Sequence, residues 1–198
     1  MVFDYSWLIG GPQGSGVDTA ANIFSRVGTK LGYHVFGKRE YHSNIKGLHS
    51  YFVVRLSDNK IRSNVNGANI MVAFDAETMI RHGLSISKNG AIIYDSSIVN
   101  TSIDEIPTIE ADHRVRLHEF FKSKNMEPKV SSIIELAKES GVNVYPISFW
   151  DALSNIADEL KRPELSRMTR MFNVLGVSFS LGVLKAPITP LLESIEEI

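Results

Sequence analysis

The chain alternates short apolar runs with longer amphipathic stretches. Tyr5–Ile9 is a short, mostly apolar run that stops at Gly10-Gly11-Pro12, which predicts a strand. Over Val17–Leu31 the residues Val17, Ala20, Ala21, Phe24, Val27 and Leu31 recur at three- and four-residue spacing and form one apolar helical face. Tyr33–Phe36 predicts a second strand, followed by a polar, basic loop from Gly37 to Gly47. His49–Ser57 sets Tyr51, Val53 and Arg55 against Phe52, Val54 and Leu56 in strand alternation, and Lys60–Val65 is placed to pair with it across Asp58-Asn59. Ile70–Phe74 is continuously apolar, as in a buried central strand, and Asp75 is positioned to cap a helix over Ala76–His82.

Ala91–Tyr94 predicts another buried strand, while residues 95–128 mix charges and polar clusters and give no clear period. Val130–Ser140 reads as a helix closed by Gly141, Val142–Ile147 as a strand, and Phe149–Leu160 and Leu165–Lys185 as helices. Pro187 and Pro190 then break the chain before Leu191–Ile198, which starts an apolar helix and predicts either a continuing polypeptide or a docked end. Strands alternating with helices predict an α/β fold: a three-layer, Rossmann-like domain with a largely parallel sheet, plus a helical C-terminal segment.

Composition narrows the function classes. The 198 residues are 43% hydrophobic and 22% charged with a formal net charge of -1, ordinary for a globular protein and without a broad basic surface for nucleic acid or an anionic membrane. There is no cysteine, which removes disulfides, thiolate metal sites, thiol nucleophiles and iron–sulfur ligands. No apolar run reaches membrane-spanning length, and Met1–Gly10 lacks the pattern of a signal peptide, so a cytoplasmic location is expected.

Two segments carry candidate chemistry. Gly10-Gly11-Pro12-Gln13-Gly14-Ser15-Gly16 lies between a predicted strand and a predicted helix, where glycine permits positive φ and close approach of a ligand to the backbone. It is not a P-loop, because Gly16 is followed by Val17-Asp18 and not by Lys-Ser/Thr, and its glycine spacing departs from the dinucleotide fingerprint. The plain alternative is a tight strand-to-helix turn. In Gly37–Gly47, Lys38, Arg39 and Lys46 offer cations to anionic groups, and His42, Ser43 and Asn44 offer neutral hydrogen-bonding groups. Here the plain alternative is a solvated surface loop. No spacing of His, Asp, Glu or Ser specifies a metal site or a catalytic triad.

Gly10–Ala21 (GGPQGSGVDTAA) and Gly37–Phe52 (GKREYHSNIKGLHSYF) together resemble the gamma-type domain of 2-oxoacid:ferredoxin oxidoreductases, the pyruvate/ketoisovalerate oxidoreductase family. The Pro12 variant with Val17-Asp18-Thr19 is similar to archaeal enzymes in which this domain is fused ahead of the alpha-type domain. The resemblance implies a gamma-type domain over residues 1–186, with 187–198 as a linker or the start of a following domain. It implies an enzyme that oxidatively decarboxylates a 2-oxoacid to an acyl-CoA and reduces ferredoxin, with this chain inactive alone. Thiamine diphosphate, magnesium and iron–sulfur clusters are implied for the complete enzyme and none for this domain alone, with coenzyme A as co-substrate and alpha- and beta-type domains as partners. On that likeness Gly11, Gly14, Ser15 and Gly16 are expected to form an anion nest or a domain contact, and Lys38, Arg39, Asn44 and Lys46 to face the substrate carboxylate or coenzyme A phosphates, Lys46 above all for the carboxylate. The alternative from another class is a stand-alone Rossmann-like nucleotide-binding protein.

Overall fold

A computed structural model describes residues 2–41, 49–168 and 171–197. The chain runs β1 (Asp4–Pro12), α1 (Val17–Lys30), β2 (His34–Tyr41), β3 (His49–Ser57), β4 (Ala68–Ala73), α2 (Ala76–His82) and β5 (Ile86–Asp95). It continues through α3 (Ala111–Ser123), α4 (Val130–Glu139), β6 (Asn143–Ile147), α5 (Phe149–Glu159), α6 (Phe172–Leu184) and α7 (Thr189–Glu196). The described strands form one sheet in the order β2-β3-β1-β4-β5-β6. β1–β4, β4–β5 and β5–β6 pair in parallel, and β3 runs against both of its neighbours, β1 and β2. The sheet is therefore largely parallel with one reversed strand.

The two-residue period of the strands sorts the core into two layers. Trp7 and Ile9 of β1, Ile70 and Val72 of β4, and Ala91 and Ile93 of β5 face α1, α6 and α7. Leu8, Met71, Ala73, Ile92 and Tyr94 face the opposite way, onto Met79 and Ile80 of α2, Phe121 of α3 and Ile133 of α4. Trp7 is fully buried, stacks on Phe24 at 4.3 Å, and donates its indole N–H to Ser180 Oγ at 2.8 Å. That bond lets a large side chain with a polar edge sit inside an apolar layer. Helices on both faces make the predicted three-layer α/β domain.

The caps are local and legible. Asp75 accepts from the Thr78 backbone N–H at 2.8 Å and starts α2, as its sequence position predicts. Gly16 enters α1 at φ 83°, a left-handed conformation that favours glycine.

Three expectations are corrected, and one stretch without a reading is resolved. Gly37–Tyr41, expected as loop, continues β2 as an edge strand paired with β3. Residues 60–65 form no strand; β3 has β2 and β1 as its partners, and the segment from Asp58 to Gly67 crosses the sheet face. The stretch without a clear period holds α3, whose one buried residue, Phe121, leaves too little apolar face to produce one. Leu165–Lys185 is not one helix: a 3₁₀ turn over Pro163–Arg167 precedes α6, which is apolar around its circumference. The C-terminal segment is thus a layer of the domain. α7 docks on α1 through buried Leu191 and through Lys30, whose Nζ meets Glu193 at 3.3 Å and Glu197 at 2.7 Å.

Candidate functional site

Chain direction creates a crevice at one point of the sheet. After β1 the chain turns to α1 on one face, and after β4 it turns to α2 on the other. Adjacent parallel strands whose succeeding helices diverge leave an opening beyond their carboxyl ends, the usual ligand position in open α/β sheets. The glycine-rich loop stands at this opening, tied to β4 by the Phe74 N–H donating to Gly10 O at 3.0 Å.

Neighbouring side chains occupy much of the space that the glycines leave. A Cβ at Gly10 would lie 2.6 Å from Thr78, and one at Gly11 would lie 2.8 Å from Ser15 Oγ and 3.1 Å from Phe74. At Gly16 it would fall 2.0–2.4 Å from the Asn173 carboxamide. Gly14 alone of this group is open, at φ 92° with nothing within 4 Å of a Cβ. The tight-turn alternative therefore accounts for most of the glycines, and Gly14 with the first turn of α1 remains available to a ligand.

Two buried polar atoms lie beside this turn, and neither Ser15 Oγ nor Asn173 Oδ1 has a hydrogen-bond partner among the described residues. Nothing in the sequence flagged Asn173, which reaches Gly16 only because α6 packs beside α1.

Behind the loop lies a second feature that the sequence analysis left unassigned. His49 Nε2 and His82 Nε2 are 3.0 Å apart, with His49 buried and the Tyr51 ring 4.4 Å from that of His82. Burial first, then the charges of His49 and Arg81, push the His82 pKa down to about 3, so His82 is neutral at pH 7. Burial likewise raises the Asp75 carboxyl, against the hydrogen bonds from Thr78 that lower it.

The expected cation cluster divides across the sheet. Successive β2 side chains point to opposite faces. Arg39 turns toward α1 and pairs with Asp18 at 3.0 Å, beside the glycine loop. Lys38 turns the other way, pairs with Glu40, and lines a cavity of about 470 Å³ with Phe36, Tyr51, Arg62, Asn64 and His82. Asn44 and Lys46, with His42 and Ser43, lie outside the described residues. The structure thus keeps Gly11, Gly14, Ser15 and Gly16 in one turn, joins Arg39 to the following helix through Asp18, and takes Lys38 to the opposite face.

Fold and site define a class: an open, doubly wound α/β domain with a glycine turn at its topological switch point. The chain belongs to the pyruvate ferredoxin/flavodoxin oxidoreductase family, whose model matches residues 6–198. It is 38% identical over 190 residues to the 2-oxoacid:ferredoxin oxidoreductase 1 subunit alpha of Sulfurisphaera tokodaii, covering 96% of this chain and 30% of that protein. The chain therefore spans under a third of the length of that curated relative. Its fold is shared with the gamma subunit of a keto/oxoacid ferredoxin oxidoreductase from Geobacter sulfurreducens (TM-score 0.61, 13% identity, 98% of this chain and 83% of that one). It is also shared with 2-oxoglutarate:ferredoxin oxidoreductase from Magnetococcus marinus, solved with 2-oxoglutarate, coenzyme A and succinyl-CoA (TM-score 0.52, 18% identity, 98% of this chain and 30% of that one). The resemblance carried by Gly10–Ala21 and Gly37–Phe52 is borne out at the level of the family.

Proposed function

We propose that this chain is the gamma-type part of a 2-oxoacid:ferredoxin oxidoreductase that converts a 2-oxoacid to its acyl-CoA and reduces ferredoxin. The observation that carries the reading is the family match across residues 6–198, nearly the whole chain. Within that enzyme the domain helps recognise coenzyme A and substrate and joins alpha- and beta-type domains. Residues 187–198, whose α7 docks on α1, are a linker or the start of a following domain, and the cytoplasm is its location. Among the described residues no helix is long and apolar enough to cross a membrane.

The crevice between β1 and β4 supplies the recognition. Gly14, with open space around it beside the first turn of α1, gives an anion its approach to the backbone, and the tight turns at Gly11, Ser15 and Gly16 hold that backbone in place. Arg39 stands beside them, held by Asp18. The coenzyme A in the Magnetococcus marinus enzyme supports a phosphate-bearing ligand for this class of domain. On the other face Lys38 is available to a second anionic group, and Asn44 and Lys46 retain their proposed role toward substrate.

This chain does not fit the redox cofactors. It has no cysteine to hold a cluster, and among the described residues no three His, Asp or Glu side chains are grouped to hold a metal ion. Thiamine diphosphate, magnesium and the clusters belong, on this reading, to the other parts of the enzyme. The stand-alone nucleotide-binding reading is weaker, because the family match covers residues 6–198 and the glycine spacing departs from the dinucleotide fingerprint.

A tagged pull-down from the native host tests the reading, followed by dye reduction with several 2-oxoacids, each with and without coenzyme A. The expected result is co-purifying partner chains and reduction that requires coenzyme A. Recovery of the chain without partners, together with saturable micromolar NAD(H) binding, would transfer the function to the nucleotide-binding class.

A further inference from the structure

The sequence contains two Asn-Gly pairs, Asn66-Gly67 and Asn89-Gly90, and the fold treats them differently. Before a glycine the backbone nitrogen reaches the asparagine side-chain carbonyl carbon most readily, because no Cβ obstructs the approach. In a folded protein the approach further depends on how freely the linkage between the two residues can turn.

Asn89-Gly90 is held. Both residues belong to β5, the Asn89 N–H donates to Gly141 O at 2.9 Å, and Gly90 O accepts from Asn143 Nδ2 at 3.2 Å. Gly90 is buried, and a Cβ there would meet the carbonyl oxygens of Asn69 and Ser87. Turning this linkage means breaking its ties to Gly141 and Asn143.

Asn66-Gly67 is free of such ties. It lies between β3 and β4, outside any strand or helix, with Asn66 exposed at the wall of the cavity of about 470 Å³. The Asn66 carboxamide makes no hydrogen bond among the described residues. The fold nevertheless requires glycine at 67. Its φ is 80°, and a Cβ would stand 2.5 Å from Ser85 O, so no bulkier residue can follow Asn66 and shield its side chain.

We propose that Asn66 is a site of spontaneous deamidation and that the fold protects Asn89 from the same reaction. The Gly67 nitrogen attacks Asn66 Cγ and a C–N bond forms, closing a five-membered succinimide. The carboxamide C–N bond breaks, and ammonia leaves with the proton from the Gly67 nitrogen. Water then opens the ring at one of its two carbonyls, giving aspartate or isoaspartate, with no oxidant or reductant in the balance. Either product adds a carboxylate to a cavity whose lining already holds Lys38, Glu40 and Arg62. Isoaspartate also lengthens the main chain by one carbon directly beside Gly67, which is packed against Ser85. The same segment is pinned further back by Arg55, whose Nη1 donates to Ser63 O at 2.9 Å. The modification therefore acts on the loop that covers the open face of the β2–β3 hairpin.

The test incubates the purified protein, in its native assembly, at mildly alkaline pH, once folded and once in urea, with samples taken over time. Trypsin separates the two pairs, since cleavage after Arg62 and Arg81 gives Ser63–Arg81 and cleavage after Lys88 and Arg114 gives Asn89–Arg114. Chromatography with fragment masses then measures asparagine, aspartate and isoaspartate at each position. In urea the two sites are expected to convert at similar rates. In the folded protein Asn66 should convert about tenfold faster than Asn89 or more, because its linkage turns without opening the sheet. Asn66→Gln, whose longer side chain would have to close a six-membered ring, should remove most of the acidic shift of the aged protein on anion exchange, whereas Asn89→Gln should leave it in place. Equal rates at the two sites in the folded protein, or an Asn66 that converts in urea but not when folded, would overturn the proposal.

Discussion

The two ends of the sheet are built to different standards. β1, β4 and β5 are closed on both faces, and Trp7, Ile9, Ile70, Met71, Ile92 and Ile93 are fully buried there. The β2–β3 hairpin is closed by α1 on one face and by a loop and the end of α2 on the other, and no described side chain of β2 is fully buried. The difference teaches where stability and recognition reside. The closed half supplies most of the apolar burial that holds the domain together. The half-open hairpin keeps polar and charged groups exposed, and contributes less to the fold.

The comparison breaks most readily on core truncations. Trp7→Ala removes a fully buried ring together with its bond to Ser180 and is expected to cost about 3–5 kcal/mol, whereas Val53→Ala in the hairpin should cost about 1 kcal/mol. Urea midpoints with matched m-values measure both, and equal losses would show that the hairpin carries as much of the fold as the closed half.

The next effect lies at the junction of the halves. His82 on α2 contacts His49 on β3, and its folded pKa of about 3 lies below the ordinary histidine value. The unfolded chain therefore binds the extra proton over the window between about 3 and 6.5, and stability is lost as pH falls through it. Between pH 7 and pH 5 the loss attributable to His82 should be about 2 kcal/mol. In His82→Asn this part of the pH dependence should vanish; an unaltered slope would show that the pair does not couple α2 to the hairpin.

The smallest effect sharpens the comparison on the hairpin itself. Asp18→Asn breaks an exposed pair with Arg39, for which about 0–1 kcal/mol is expected. The loss should fade in high salt, and a change that persists in molar salt would mean that Arg39 is held by more than charge.

The same contrast explains what could be read from the sequence. β3 and α2 were legible to the residue, and β1, α1, β4, α4 and α5 closely, because each has an apolar face with a regular period or a cap such as Asp75. The second half of β2 was not, since Lys38-Arg39-Glu40 on an open edge carries no apolar signature even though its backbone pairs fully with β3. α3 failed for the same reason. The glycine loop and the basic segment were legible as candidate chemistry. Their division between two faces was not, because it depends on Gly37–Tyr41 being strand. Asn173 and His82 were invisible, since each gains its meaning from a contact with an element distant in the chain.

The exposed edge of β2 has one more consequence. A strand with one unpaired side is a template on which a second copy can add its own edge, and from there a growing fibre. The run Lys38-Arg39-Glu40 places three ionised groups on adjacent residues in the middle of that edge, where an incoming strand would have to desolvate them. Those charges oppose the addition of a second strand along this edge.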